Sequence, residues 1–293
     1  MKVRIGLGSV PHGDLGEYVD ACEAAGVDSI WLPDFASSDD VDPLIGLAYA
    51  AGRTSRLKLG TGVLVLPGRN PMLVAAQLAS LAALAPKRIL PTFGVRPVGV
   101  RDRALYPVPD GERAAVFDEA LVVLRRLLSE PSVTHHGRFF HLDDATVGPR
   151  PPRPLDLWLG GRAPAGLRRI GRLADGWLGS FVTPAEAEQC RRGIERAAAA
   201  AGREIEADHY GTNLMVLPPG STDRDAALAR IAQRRPDIDP APLLADGWDA
   251  ARTHVRAFVA AGLTKFVVRP AAPVASWRGF VDEFAAELGP EQT

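Results

Sequence analysis

Cysteine is almost missing: Cys22 and Cys190 are the only two, each inside a stretch that reads as helix. That excludes a disulfide scaffold and sets the expectation of a reducing compartment. Histidine is scarce as well. Of 6 in the chain, His135, His136 and His141 lie close together, but no fourth ligand at suitable spacing joins them, so no metal site is expected. Charge of one sign is not in excess either: the formal net charge is −1, and arginines are scattered among acids. Nucleic acid is therefore not an expected partner. No apolar run approaches membrane-spanning length, and Met1-Lys2-Val3-Arg4-Ile5 runs straight into a strand pattern with no apolar export core. The expectation is a cytoplasmic protein without a membrane anchor. No P-loop, nucleophile elbow or paired carboxylates appear, and Pro11 stands where a dinucleotide fingerprint begun at Gly6-Leu7-Gly8 needs its third glycine.

What is present suits a globular protein: 293 residues, 46% hydrophobic and 24% charged, enough for one barrel or two smaller domains. Short β-branched runs alternate with amphipathic stretches, the pattern of a parallel α/β fold. The predicted strands are Val3 to Gly8, Asp28 to Leu32, Leu57 to Val63, Arg88 to Phe93, Asp156 to Leu159, Gly176 to Leu178, Tyr210 to Leu217 and Lys265 to Arg269. Helices fall between them, with Asp42-Pro43 and Thr183-Pro184 as clear starts and Gly26 as a helix stop. A segment from Val133 to Val147 reads as a hairpin inserted before strand five, followed by a stiff proline run at 149–154. Eight such units with no linker between halves predict a single (β/α)8 TIM barrel domain over residues 1–293.

In such a barrel the working groups lie just after each strand. Asp34 follows strand two with no basic residue within several positions; it serves either a cofactor ring or the cap of the next helix. Gly60-Thr61-Gly62-Val63 ends strand three, where glycines permit a bulge and close approach of a flat ligand, or relieve packing at the barrel taper. Gly160-Gly161-Arg162-Ala163 opens a helix and reads as an anion site or as a tight turn. Ser180 follows strand six, and Arg269 ends strand eight as a candidate for a substrate anion. His12, in the loop after strand one, is read as solvated more readily than functional.

The ordered pieces carry a resemblance that covers nearly the whole chain. They are Ile30-Trp31-Leu32-Pro33-Asp34, Asp42-Pro43-Leu44, Leu59-Gly60-Thr61-Gly62-Val63, Asn70-Pro71, Gln77-Leu78-Ala79-Ser80-Leu81, Phe117-Asp118-Glu119-Ala120-Leu121, Gly137-Arg138-Phe139-Phe140, Pro149-Arg150-Pro151, Trp158-Leu159-Gly160-Gly161 and Leu173-Ala174-Asp175-Gly176-Trp177. Their order and spacing resemble the luciferase-like monooxygenase superfamily, in its coenzyme F420-dependent oxidoreductase branch. The resemblance implies a flavin or deazaflavin ring against a bulge at Gly62-Val63, which in this family often includes a non-prolyl cis peptide. It further implies Asp34 near the ring, Thr92 and Gly94 on the ring's other approach, and the phosphate held by Gly160, Gly161, Arg162, Ala163 and Ser180. A homodimer through the helices after strands two and three is also implied. Two departures matter. Phe35 stands where many F420-using members have His, so a histidine acid or base there is excluded. Val95-Arg96 replaces the carboxylate of sugar-phosphate-oxidising relatives, which counts against that dehydrogenase activity; Arg96 instead suits a cofactor phosphate or an anionic substrate.

The function implied is hydride transfer between F420 and a small organic substrate, the protein supplying binding and orientation. A reduced-FMN monooxygenase using oxygen is the alternative, and a silent cofactor-binding subunit is another. Heavy use of Ala, Arg, Gly and Pro suits a GC-rich genome and leans toward F420, as does the availability of Arg96, Arg101, Arg103 and Arg162 near a polyanionic tail. Substrate choice rests with the mouth loops at 94–112 and 218–245.

Overall fold

Every barrel strand is short and nearly all buried, because helices cover the outer face and side chains fill the inner one. The computed structural model describes residues 2–8, 14–97, 99, 101–151 and 153–293; His12 lies outside them. The strands are β1 (Arg4–Leu7), β2 (Ser29–Leu32), β3 (Lys58–Thr61, resuming as Leu64–Val65), β4 (Ile89–Leu90, resuming as Thr92–Gly94), β5 (Trp158–Gly160), β6 (Gly176–Gly179), β7 (Tyr210–Leu217) and β8 (Lys265–Pro270). All pairings among them are parallel, and the order runs from β4 through β5, β6, β7, β8, β1 and β2 to β3. β3 and β4 then pair with each other through both of their halves, which closes the ring. The result is the (β/α)8 barrel.

Two strands are interrupted, β3 at the expected Gly62-Val63 bulge and β4, expected to be continuous, at a proline. Pro91 offers no N–H to the ladder and splits β4. In β3 the register shifts: from Leu59↔Ile89 to Leu64↔Phe93, β3 advances five residues while β4 advances four. β3 therefore carries one extra residue, a bulge at Gly62-Val63, and the peptide bond between these two is cis. Thr61 bridges the break. Its hydroxyl accepts from Thr92 N–H and donates to Thr92 C=O, both at 2.8 Å.

The outer helices are α1 (Leu15–Ala24), α2 (Pro43–Arg53), α3 (Pro71–Leu84), α4 (Arg113–Ser129), α5 (Pro164–Leu173), α6 (Pro184–Ala200), α7 (Arg224–Arg234), α8 (Gly247–Ala260) and α9 (Trp277–Leu288). Side-chain caps start several of them: Asp42 on α2, Asn70 on α3, Ser276 on α9 and a full Thr183–Glu186 capping box on α6. Asp14 and Asp223 occupy cap positions without making the side-chain bond. α5 and α6 approach closely because Gly171 has no side chain: a β-carbon there would lie 2.6 Å from that of Ala197.

The inserted segment is an antiparallel pair, Val133–His136 with His141–Ala145. Glu119 on α4 organises its turn by accepting from the N–H groups of Arg138, Phe139 and Phe140 and pairing with His135. At the N-terminal end of the strands, Asp28 gathers Arg4, Lys58 and Lys265. The opposite end is open, and the β7 side of that rim carries α7 and a short strand, Leu244–Asp246. No helix among the described residues is long and apolar enough to cross a membrane.

Candidate functional site

A cavity of about 790 Å³ opens at the C-terminal ends of the strands, where this fold places its ligands. Of the residues singled out from sequence, Asp34, Gly62, Val63, Gly94, Arg96, Gly160, Gly161, Arg162 and Ser180 all line it. Val63 is its shelf. A β-carbon at Gly94 would come within 2.6 Å of Val63 Cγ2, and one at Gly160 within 3.0 Å of Val63 Cγ1. The two glycines thus flank Val63 and leave the space above it clear. Gly60, Thr61 and Thr92 lie beneath the wall rather than on it. Gly60 makes room for the Trp31 ring, Thr61 is spent on β4, and the fully buried Thr92 Oγ1 has no hydrogen-bond partner.

Asp34 is more constrained than its sequence neighbourhood suggests. Its side chain is 2% exposed; Oδ2 accepts from Val65 N–H and Arg69 at 3.0 Å each, and Oδ1 from the Tyr106 hydroxyl at 2.7 Å. The carboxylate does not cap α2, which Asp42 does, and it is not without a base. Arg69 stands 35 positions away and Tyr106 a further 37, so no local pattern announces the clamp. Burial and the nearby Asp34 carboxylate push the Tyr106 hydroxyl above its ordinary pKa, so it stays a donor at neutral pH. Asp34 ties the β2 loop to β3 and to the 101–106 connection, and only then faces the cavity.

The cavity as a whole is lined for negative charge. α5 begins at the Gly160-Gly161 turn, with Gly161 at φ +116°, a value that favours glycine. Its cap position holds Ala163, so no side chain occupies the first-turn N–H groups. Arg96, Arg103, Arg162, Arg234 and Arg269 all line the cavity, against two acids, Asp34 and Asp40. Arg96, Arg103 and Arg234 make no ion pair among the described residues, and Arg162 reaches Asp237 only at 3.8 Å. Arg101 is not among the lining residues. Arg234 carries no signal in sequence, since it ends a helix that reads as ordinary surface.

Nearby, Arg235 is nearly fully buried and paired with Glu186 and Asp237, while it donates to the Phe181 carbonyl. This fixes the β6–α6 loop over the cavity, with Phe181 at φ +54°. Asn213, on β7, donates to Ser180 Oγ at 2.6 Å and accepts from Arg269 at 2.7 Å. Neither Asn213 nor Arg235 stands in a motif that marks it.

The geometry is that of a (β/α)8 barrel with an arginine-lined cavity beside an uncapped helix start at its mouth. The family description of luciferase-like monooxygenases matches residues 3–286, and the chain belongs to that family. It is 33% identical over 174 residues to an F420-dependent glucose-6-phosphate dehydrogenase of Kineococcus radiotolerans, covering 57% of this chain and 52% of that one. The chain thus spans about half the length of that relative. In three dimensions it is similar to an F420-dependent secondary alcohol dehydrogenase in complex with an F420-acetone adduct, with TM-score 0.84, 19% identity and full coverage of both chains. It is also similar to the oxygenating constituent of the 3,6-diketocamphane monooxygenase of Pseudomonas putida in complex with FMN, with TM-score 0.76, 16% identity, 100% of this chain and 99% of that one.

Proposed function

We propose that this chain is an oxidoreductase that binds coenzyme F420 in the mouth cavity and uses it on a small organic substrate, the barrel acting as one unit. The observation that carries the reading is one cavity that combines a clear shelf at Val63 with an uncapped helix start and the arginines Arg96, Arg103, Arg162 and Arg234 among its lining residues. A flat ring with a phosphate and a carboxylate-rich tail matches both halves. Gly160, Gly161, Arg162, Ala163 and Ser180 would hold the phosphate, Arg96, Arg103 and Arg234 the outer anionic groups, and Gly62, Val63 and Gly94 the ring. When bound, the deazaflavin supplies hydride transfer. Asp34, tied by three hydrogen bonds, keeps the wall beside the ring in place, and Phe181 on its anchored loop limits water entry from above. No histidine is offered at position 35 for proton transfer.

The test is titration of the purified protein with oxidised F420 and, separately, with FMN, read by fluorescence and absorbance. Low-micromolar saturable binding of F420 and little FMN binding is the expected result. The reverse preference would move the assignment to an FMN-dependent monooxygenase, the chemistry named for the diketocamphane enzyme, and turnover of no substrate despite tight binding would favour a silent subunit.

The same reading includes a cytoplasmic homodimer. α3 contains no charged residue, and its solvent side presents Leu73 (64% exposed) and Leu84 (70%). The adjacent α2 adds Ile45 (64%) and Tyr49 (47%). Neighbouring apolar helix faces of this kind suit a two-fold contact with a second copy. Light scattering on a gel-filtration column should give twice 31.2 kDa for the wild type and 31.2 kDa for Ile45→Lys/Leu73→Glu. A monomeric wild type would remove the dimer from the proposal.

A further inference from the structure

Arg269 ends β8 with its guanidinium lodged between two glycines. A β-carbon at Gly62 would lie 2.7 Å from its Nη2, and one at Gly8 2.8 Å from its Cζ and 2.6 Å from Val267 Cγ1, so the guanidinium packs where neither glycine has a side chain. Arg269 donates from Nε to Asn213 Oδ1 at 2.7 Å and from Nη2 to the Gly62 carbonyl at 2.9 Å. Asn213 passes the connection on, its Nδ2 donating to Ser180 Oγ at 2.6 Å and to the Gly179 carbonyl at 3.1 Å. One chain of hydrogen bonds therefore crosses the mouth from the β3 bulge through β8 and β7 to the end of β6. All of its side chains line the cavity.

Its electrostatics are unusual for a structural arginine. No carboxylate pairs with Arg269 among the described residues, and its fixed partners are an amide and a carbonyl oxygen. Burial draws its pKa down to about 10, so it is still a cation at neutral pH. A cation held this way needs a fixed geometry more than a partner charge, which the planar fork of arginine supplies and the point charge of lysine does not.

We propose that Arg269 is a positioning residue which, through Asn213, fixes the Gly62 carbonyl, and with it the Val63 shelf, at a set separation from Ser180. Under the functional reading above, on which this rests, the ring end and the phosphate end of one cofactor then meet their contacts together. If the strut positions both ends, cutting it at either side chain should have the same effect on binding, and cutting it twice should add nothing.

The experiment compares wild type, Arg269→Met, Arg269→Lys, Asn213→Leu and the Arg269→Met/Asn213→Leu double variant. Melting temperature checks folding, fluorescence titration with oxidised F420 gives affinity, and the absorbance band of the bound cofactor reports on the ring's surroundings. Each single variant is expected to weaken binding about 10- to 100-fold and to move the bound band toward that of free F420. Lysine should not rescue, and the double variant should bind no more weakly than the worse single one. Wild-type affinity and an unshifted band in a folded Arg269→Met would overturn the proposal, as would losses that simply multiply in the double variant. Where wild type itself prefers FMN, the same comparison is made with FMN. If wild type binds neither, it is the functional reading that fails, and the strut's role with it.

Discussion

Asp28→Asn is expected to destabilise the fold by about 3–5 kcal/mol, the usual cost of removing one member of a buried ion cluster. The Asp28 side chain is 8% exposed, and its two oxygens serve three cations at the base of the barrel: Lys58 Nζ at 2.7 Å, Arg4 Nε at 3.7 Å, and Lys265, itself 9% exposed. The amide of asparagine is similar in shape but neutral, leaving Lys265 enclosed beside two like charges and the Trp31 ring. Burial would raise the Asp28 carboxyl, but Lys265 and Lys58 outweigh it and hold it below the usual carboxylate range. The sign follows directly. A depressed carboxyl stabilises above its unfolded pKa of about 3.9, and the contribution is lost as the pH falls through the lower folded value. Urea unfolding of wild type and variant at pH 7, 5 and 3 should therefore show the full gap at the two higher values and a narrowing gap at pH 3. A gap below about 1 kcal/mol at pH 7 would show that the cluster does not hold the base together.

Gly94→Val should cost the site much more than it costs the fold. The added β-carbon meets Val63 Cγ2 at 2.6 Å, too close for either to remain in place. Val63 lines the cavity, so its displacement reshapes the ligand's platform. Overpacking of this kind costs about 1–3 kcal/mol, and displaced onto the ligand's platform it corresponds to roughly 5- to 150-fold weaker binding at 1.4 kcal/mol per tenfold. Titration with F420 alongside a melting curve separates the two effects. Unchanged affinity in the folded variant would mean that the ring does not rest on Val63, whatever the cavity binds.

Much of this architecture was legible in the chain. Strands alternate with capped helices, eight units with no linker favour a barrel over a doubly wound sheet, and the residues after β3 and β5 are the kind that leave backbone exposed to a ligand. The bulge in β3 was legible, from the paired glycines and from the resemblance, and it stands at Gly62-Val63; the break in β4 was not, although Pro91 is its cause, because the chain read as one strand from Arg88 to Phe93. Nor was the clamp on Asp34 legible. Arg69 sits in a helix-start sequence, Gly68-Arg69-Asn70-Pro71, that accounts for itself locally, and Tyr106 lies in an irregular connection. Asn213 and Arg235 stand in no sequence motif, and only the fold places them against Arg269 and Phe181. Arg269 alone among these was marked by its place at a strand end.

The seam between β3 and β4 gives the barrel a side-chain fastener. Where main-chain pairing lapses, the amide and carbonyl of Thr92 are both met by one hydroxyl, that of Thr61. Among ordinary substitutions only serine could take over the duty, while valine, equal in shape, would leave two buried backbone groups without partners. Thr61 therefore joins the two ladder segments of this seam just below the Val63 shelf, as Asp28 gathers the strand bases at the other end.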